Sequence, residues 1–285
     1  MALLTDRSIM DELSTQKGSP PRHIVSLVPS LTELLFDLGL DEEVAGITKF
    51  CVHPDHWFRT KKRVGGTKNT HAVTIHALQP DLIIANKEEN LREEVEELAR
   101  HYPVWVTDIR TRKDALDMIR VMGRITDRQE KAVSLARTIE EGFAALEKDI
   151  PMTAATYETV QTRKPDIALQ AAYFIWRDPY MVAGGDTFIH EMMKSCGLQN
   201  VFAGRNRYPV ITIEELQAAG CKYILLSSEP YPFKEKHAEE LQKHLPAVKI
   251  LLVDGEFFSW YGSRMLQAPA YFRELREKIA QRFVS

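Results

Sequence analysis

DRQEKAVSLARTIEEGFAALEKD, residues 127–149, is the stretch whose reading decides the fold. Ala132, Leu135, Ala136, Ile139, Phe143 and Leu146 recur at spacings of three and four, which puts one apolar stripe along a long helix and leaves the rest to water. Asp127 with Glu130 reads as a capping box at its start, and Pro151 forbids continuation beyond its end. At 1.5 Å per residue such a helix spans roughly 35 Å, about the width of a small domain. A rod of that length can join two lobes.

The chain on either side reads as short buried strands alternating with helices. Before the spine, HIVSLV (23–28) is an apolar, β-branched strand ended by Pro29, and Ser30 with Glu33 reads as a capping box opening a helix that stops at Gly39. Strands follow at 44–48, at 63–64 before Gly65-Gly66, at 81–86 and at 104–107. Helices are expected from about Thr74, over 88–100 with Leu91, Val95 and Leu98 inward, and over 113–123. After the spine, strands are expected at 166–172 with Ile175, at 223–228 and at 250–253. A helix follows MVAGGDTF, and another covers 269–283. A small capped helix precedes a strand on both sides: TIHALQ (74–79) before DLIIAN and TIEELQ (212–217) before YILLSS. The fold class expected is therefore α/β: two Rossmann-like lobes joined by one spine helix, with a ligand cleft between them. The divisions are an N-terminal extension over 1–21, read as a connector or short edge hairpin, a first lobe over 22–125, the spine over 126–150 and a second lobe over 151–285.

At 285 residues the chain is long enough for two such domains. A net charge of −3 gives no electrostatic reason to expect nucleic acid or an anionic membrane as partner. Cys51, Cys196 and Cys221 are far apart and form no CxxC, so no disulfide framework is expected. MALLTDRSIMDELS lacks a basic region followed by an apolar run of about seven residues, and no stretch reaches the roughly 18 apolar residues of a membrane span. A cytoplasmic location follows as the expectation.

In open parallel sheets ligands bind outside the carboxyl ends of the strands. FIWRDPYM and FFSWYGSR crowd aromatic residues and an arginine each into such ends, a wall suited to a large flat ligand with anionic arms. Enzyme signatures such as GxSxG, HExxH and GxxxxGK[ST] are missing. Gly184-Gly185-Asp186 reads either as an anion cradle at a helix start or as a tight turn capped by Asp186. Cys51 and His53 are candidate metal ligands, including axial ligands to a metal inside a bound macrocycle, against plain packing of the loop. With Glu229 they form the alternative reading, an enzyme acting on a tetrapyrrole or metal chelate. A partner-binding module of purely structural role is a third reading, which no continuous apolar surface pattern favours.

RHIVSLVPSLTELLFDLGLDEEVAGIT, VGGTKN, ALQPDLIIAN, VAGGDTFIHEMMKSCGLQNVF and YPVITIEELQ, in that order, resemble the cobalamin and ferric-siderophore class of ABC-importer substrate-binding proteins, nearest to the vitamin B12 binders. The resemblance implies a ligand such as cobalamin, haem or a ferric siderophore, carried as cargo with no tightly bound cofactor and no catalysis. It implies contacts from Pro29, Ser30, Lys49, Phe50, Gly66 and Thr67, and across the cleft from Trp176, Arg177, Phe257 and Trp260. It further implies an ABC permease as partner, docked through a glutamate at the tip of each lobe. That glutamate matches Glu214 in the second lobe; the matching first-lobe position is Val73.

Overall fold

The computed structural model describes residues 3–4, 9, 19–149 and 169–281. The expected stop at Pro151 and the start of the strand expected from residue 166 lie outside them. The chain divides into two compact units. Unit 1 is Met1–Ile109, Lys113–Glu140 and Trp260–Leu266; unit 2 is Arg110–Arg112, Glu141–Ser259 and Gln267–Ser285. No helix of the described residues is long and apolar enough to cross a membrane.

Unit 1 is built on strands β1 (Leu3–Leu4), β2 (Ile24–Ser26), β3 (Val44–Ile47), β4 (Lys62–Arg63), β7 (Leu82–Asn86) and β8 (Val104–Thr107), in the sheet order β1-β8-β7-β2-β3-β4. Every pair in it is parallel. Residues 3–4 therefore add a parallel edge strand to this sheet rather than forming a hairpin of their own. Val25, Leu27, Ile83, Ala85 and Val104 are fully buried on one side with Val64, Ile75, Val95 and Leu98. This is why the strands read as continuous apolar runs rather than alternating ones. Helix α2 (Asp55–Thr60) precedes β4, and the hairpin β5 (Gly65–Gly66) and β6 (Asn69–Thr70) follows it. Gly65 sits at φ +103, and a Cβ there would fall 2.4 Å from Asn69 O, so glycine is required at the turn.

Four local expectations are corrected. Helix α1 (Pro29–Asp37) opens with proline in its first turn and Val28 at the N-cap, with no side-chain cap, so Ser30 and Glu33 form no capping box; Glu33 bonds to Arg264 instead. Helix α3 (Ala72–Leu78) starts two residues before Thr74, with His71 at its N-cap. Helix α4 (Arg92–Leu98) starts late because Asn86 and Asn90 tie the preceding turn together, Asn90 Oδ1 accepting from Asn86 N at 2.8 Å. Leu91 is its N-cap and stays 40% exposed rather than packing inward. Helix α5 (Arg112–Ile125) is followed by α6 (Gln129–Asp149), the long helix. Asp127 lies in the turn before it at φ 55, two residues ahead of the first helical residue, so it is not the N-cap partner of Glu130. The apolar stripe is buried as its spacing requires at Ala132, Ala136, Ile139, Phe143 and Leu146. Helix α6 belongs to unit 1 up to Glu140 and to unit 2 from Glu141.

Unit 2 has a five-stranded sheet of β9 (Leu169–Trp176), β10 (Met181–Val182), β11 (Leu198–Asn200), β12 (Tyr223–Ser227) and β13 (Lys249–Val253). β11, β12 and β13 run parallel to β9, and β10 returns antiparallel. Ala172, Phe174, Ile224 and Leu226 lie in a core with Phe202, Leu216, Phe233 and Leu241. β13 is the last strand in the order, and Leu252 stays 39% exposed there, so this strand is less buried than its sequence suggests. Helices α7 (Phe188–Ser195), α8 (Ile213–Ala218), α9 (Glu235–His244), α10 (Glu256–Ser259) and α11 (Ala268–Gln281) complete the unit. Thr212 and Glu215 form a full capping box on α8.

Candidate functional site: the carboxyl ends of two parallel sheets

In each unit the strand order reverses beside one strand, and the crevice at such a switch point is the usual ligand site. In unit 1 it lies between the ends of β2 and β7. The chain's own segment 260–266 packs there. Tyr261 Oη donates to Glu89 Oε1 at 2.9 Å, and Arg264 bonds bidentately to Glu33, Nη2–Oε1 2.6 Å and Nε–Oε2 3.1 Å. A Cβ on Gly262 would come within 2.8 Å of Ser30 O. Pro29 and Ser30 are consequently buried, and the contact expected from them is closed off by this segment. Trp260, expected from the second lobe, belongs to unit 1. It is only 6% exposed, with the Arg264 guanidinium 5.3 Å from its ring and the His53 ring edge-on at 5.6 Å.

What remains open on unit 1 is the end of β3. Lys49 and Phe50 are both exposed, Phe50 at 51%, with the Lys49 ammonium 5.1 Å from the Phe50 ring centre. No ion pair reaches Lys49 among the described residues. Gly66 lies against this pair: a Cβ would meet Phe50 Cε2 at 3.2 Å and Lys49 Cε at 3.4 Å. Thr67, half-buried, is fixed through its carbonyl by Asn90 Nδ2 at 2.9 Å. Sequence reasoning thus brings Lys49, Phe50, Gly66 and Thr67 to one rim.

Cys51 is packed inside unit 1 rather than presented at the rim. Its thiol is fully buried, 3.1 Å from Thr32 Oγ1 and 3.2 Å from Thr48 Oγ1, and burial pushes its pKa up to about 11. It is a neutral packing thiol at physiological pH, because no neighbouring cation offsets the desolvation of a thiolate. His53 is engaged edge-on with Trp260. Among the described residues no group of three or more His, Cys, Asp or Glu side chains could hold a metal ion.

In unit 2 the switch point lies between the ends of β9 and β12. Trp176 is 41% exposed there, edge-on to Tyr231 at 5.6 Å. Tyr231 packs in turn on Phe233 at 4.7 Å and His237 at 5.5 Å. Burial keeps the His237 imidazole pKa below its usual value, and its Nδ1 accepts from Lys234 N at 3.0 Å. Arg177 is committed to Glu240, Nη2–Oε2 2.8 Å, with Asp178 at 3.5 Å. Phe257, half-buried, stacks on Tyr271 at 4.4 Å and 20°. Glu229 accepts from Ser259 Oγ at 2.5 Å, while Tyr173 Oη donates to Ser227 Oγ at 2.9 Å. The Gly184-Gly185 amides are engaged as in a tight turn. Both amides bond to the carbonyls of Arg207 and Arg205 at 2.7 Å, Asp186 accepts from Arg207 N, and Thr187 caps α7. Tyr231 and Glu240 lie outside the residues singled out from the sequence, and Glu33 and Arg264 read there as a cap and as part of the aromatic wall but not as a pair, since nothing local in the sequence signals a partner 63 to 231 residues away or a ring supplied by a neighbouring strand end.

Two parallel-sheet α/β units, each with an exposed ring at its carboxyl end, define a ligand-binding protein of the bilobed kind. The chain belongs to the periplasmic binding protein family, which matches residues 24–250. That family consists of substrate-binding proteins rather than enzymes, and it gives no support to the cytoplasmic expectation. A vitamin B12-binding protein of Vibrio parahaemolyticus is 26% identical over 204 residues, 71% of this chain and 69% of its own. The crystal structure of the periplasmic vitamin B12-binding protein of Vibrio cholerae superimposes with a TM-score of 0.70 at 18% identity, covering 90% of this chain and 98% of that one. The periplasmic haem-binding protein of Roseiflexus sp. RS-1, in its apo form, gives 0.72 at 21%, covering 89% and 98%.

Proposed function

We propose that this chain is the substrate-binding component of an ABC-type importer, carrying a corrinoid, haem or ferric siderophore as cargo and converting nothing. The observation that carries the reading is the exposure of Phe50 and Trp176 at the carboxyl ends of their sheets, where Tyr261 and Trp260 are packed away. Flat chelates bury most of their area against such rings. Lys49, Phe50 and Thr67 on unit 1 and Trp176 on unit 2 are the proposed contacts. Arg177 contributes less, because Glu240 already holds it. With Cys51 buried and protonated, the metal keeps the ligands it arrives with on that side. The family relationship and the vitamin B12-binding relative support this ligand class.

Glu214 is the proposed permease contact. It is the second residue of α8, and its carboxyl is held below the usual range by backbone and Thr212 hydrogen bonds, so it is charged throughout the physiological range. Val73 is the second residue of α3 and is 83% exposed. The two tips are thus equivalent in place and unlike in charge. Glu214→Lys should abolish stimulation of the importer's ATPase while leaving cargo affinity unchanged.

The test of cargo binding is absorption after incubation with cobalamin, haem and a ferric siderophore in turn, followed by desalting. One chromophore retained per chain, and lost in Phe50→Ala/Trp176→Ala, is expected. No retention of any of the three at micromolar protein overturns the ligand class, and substrate turnover overturns the non-catalytic reading.

A further inference from the structure

We infer that Arg264 is a positioning residue for the Lys49–Phe50 surface, acting through Trp260 and His53 on the loop 49–53. The importance of that surface rests on the function proposed above; the positioning itself does not.

The loop is held at Lys49 itself, whose N donates to Gly65 O at 2.8 Å, and on two further sides. On one side Cys51 Sγ sits between Thr32 and Thr48 in a pocket closed by Ser26, whose Oγ is 2.8 Å from Thr32 Oγ1. Cys51 N bonds to Thr48 O at 3.2 Å and Val52 N to Phe50 O at 2.9 Å, which fixes the turn that presents Lys49 and Phe50. On the other side His53 meets the edge of Trp260. Trp260 carries the Arg264 guanidinium over its ring, and Arg264 is locked by the two bonds to Glu33. Glu33 is the residue after Thr32 in α1, so both anchors run back to the same helical turn. The pair is largely enclosed, with side-chain exposures of 12% for Arg264 and 14% for Glu33. Two hydrogen bonds to Glu33 fix the guanidinium in place over the indole face; a lysine would supply the charge without that bidentate hold. The chain Glu33–Arg264–Trp260–His53 therefore transmits order from α1 to the ligand-facing loop.

The test begins without ligand. In Glu33→Gln/Arg264→Met both charges go at once, so neither is left buried alone and the fold is retained. Hydrogen exchange at the Cys51 and Val52 amides should accelerate about tenfold, with amides of β7 in unit 1 and β12 in unit 2 unchanged. Trp260→Ala should produce the same acceleration and add nothing to the double variant, whereas Trp260→Phe keeps most of the protection. Unchanged exchange at 51 and 52, or acceleration spread equally over β7, overturns the inference. Cargo affinity in the double variant should then fall about tenfold with the Phe50→Ala loss no longer additive. Should the wild type retain no chelate, the function proposed above fails, while the exchange result still decides the positioning.

Discussion

At the carboxyl end of its sheet, unit 1 presents Lys49 with no ion-pair partner among the described residues, beside an exposed Phe50; unit 2 presents Arg177 already bound to Glu240, beside an exposed Trp176. The enclosed ion pair of unit 1 lies elsewhere, in Glu33–Arg264 beneath the crevice. Two sheets of related topology thus use their charges differently. Unit 1 encloses an ion pair and leaves Lys49 exposed beside Phe50, while unit 2 holds Arg177 in a half-exposed pair beside Trp176.

Stability should separate the two pairs most widely. Arg264→Ala strands the Glu33 carboxylate in a site with 14% side-chain exposure, and the expected loss is about 3 kcal/mol in urea unfolding. Arg177→Ala releases Glu240, which is 45% exposed, and should lose no more than about 1 kcal/mol. Equal losses would mean that the enclosure of the unit 1 pair has no energetic consequence, and the contrast would collapse.

Affinity should follow the opposite order. Lys49→Gln should weaken an anionic chelate such as haem about tenfold, near 1.4 kcal/mol, and the loss should shrink as salt rises through a Debye length of about 10 Å at 0.1 M. Arg177→Gln should weaken it only about twofold, since its charge is already compensated. Isothermal titration of haem against its dimethyl ester sharpens this: the ester should bind wild type and Lys49→Gln alike. A larger effect at Arg177 than at Lys49 would reverse the assignment of the ligand-facing cation.

The parallel strands were legible because β2, β7, β9 and β12 are buried on both faces, and an uninterrupted run such as LIIAN leaves little else for the chain to do. The long helix was legible from the spacing of Ala132, Ala136, Ile139 and Phe143, which a buried stripe dictates. Helix starts were not. Ser30 and Glu33 have capping-box spacing, yet Pro29 begins the helix and Glu33 is claimed by an arginine 231 residues away. The rim residues Lys49, Phe50, Gly66 and Thr67 follow from strand ends, but Pro29, Ser30 and Cys51 follow the same rule and are buried. What hides them is segment 260–266 for the first two, far away in the sequence, and a pair of threonines for the third, of which Thr48 is only three residues off but Thr32 comes from α1.

The smallest effect compares one carboxylate from each unit as pH falls. Burial raises the Glu33 carboxyl above its ordinary 4.5, a shift that Arg264 opposes without cancelling. The folded state therefore holds this proton more tightly than the unfolded chain does. Its stabilisation is complete below pH 4.5 and is lost as pH climbs through the raised value. Glu215 on α8 is the reverse. The hydrogen bond from Arg205, with that from the Thr212 amide, lowers its carboxyl below 4.5, so its contribution is present above 4.5 and fades as pH drops through the lowered value. Carboxyl carbon NMR titration should show Glu33 titrating above, and Glu215 below, the same groups in the urea-unfolded chain. Correspondingly, the stability gap between wild type and Glu33→Gln should shift in favour of wild type on acidification, and the gap to Glu215→Gln should shift against it. Were both carboxyls to titrate on the same side of their unfolded values, the enclosure that separates the unit 1 pair from the surface pairs of unit 2 would not exist in solution, and the ordering of the stability losses above would fall with it.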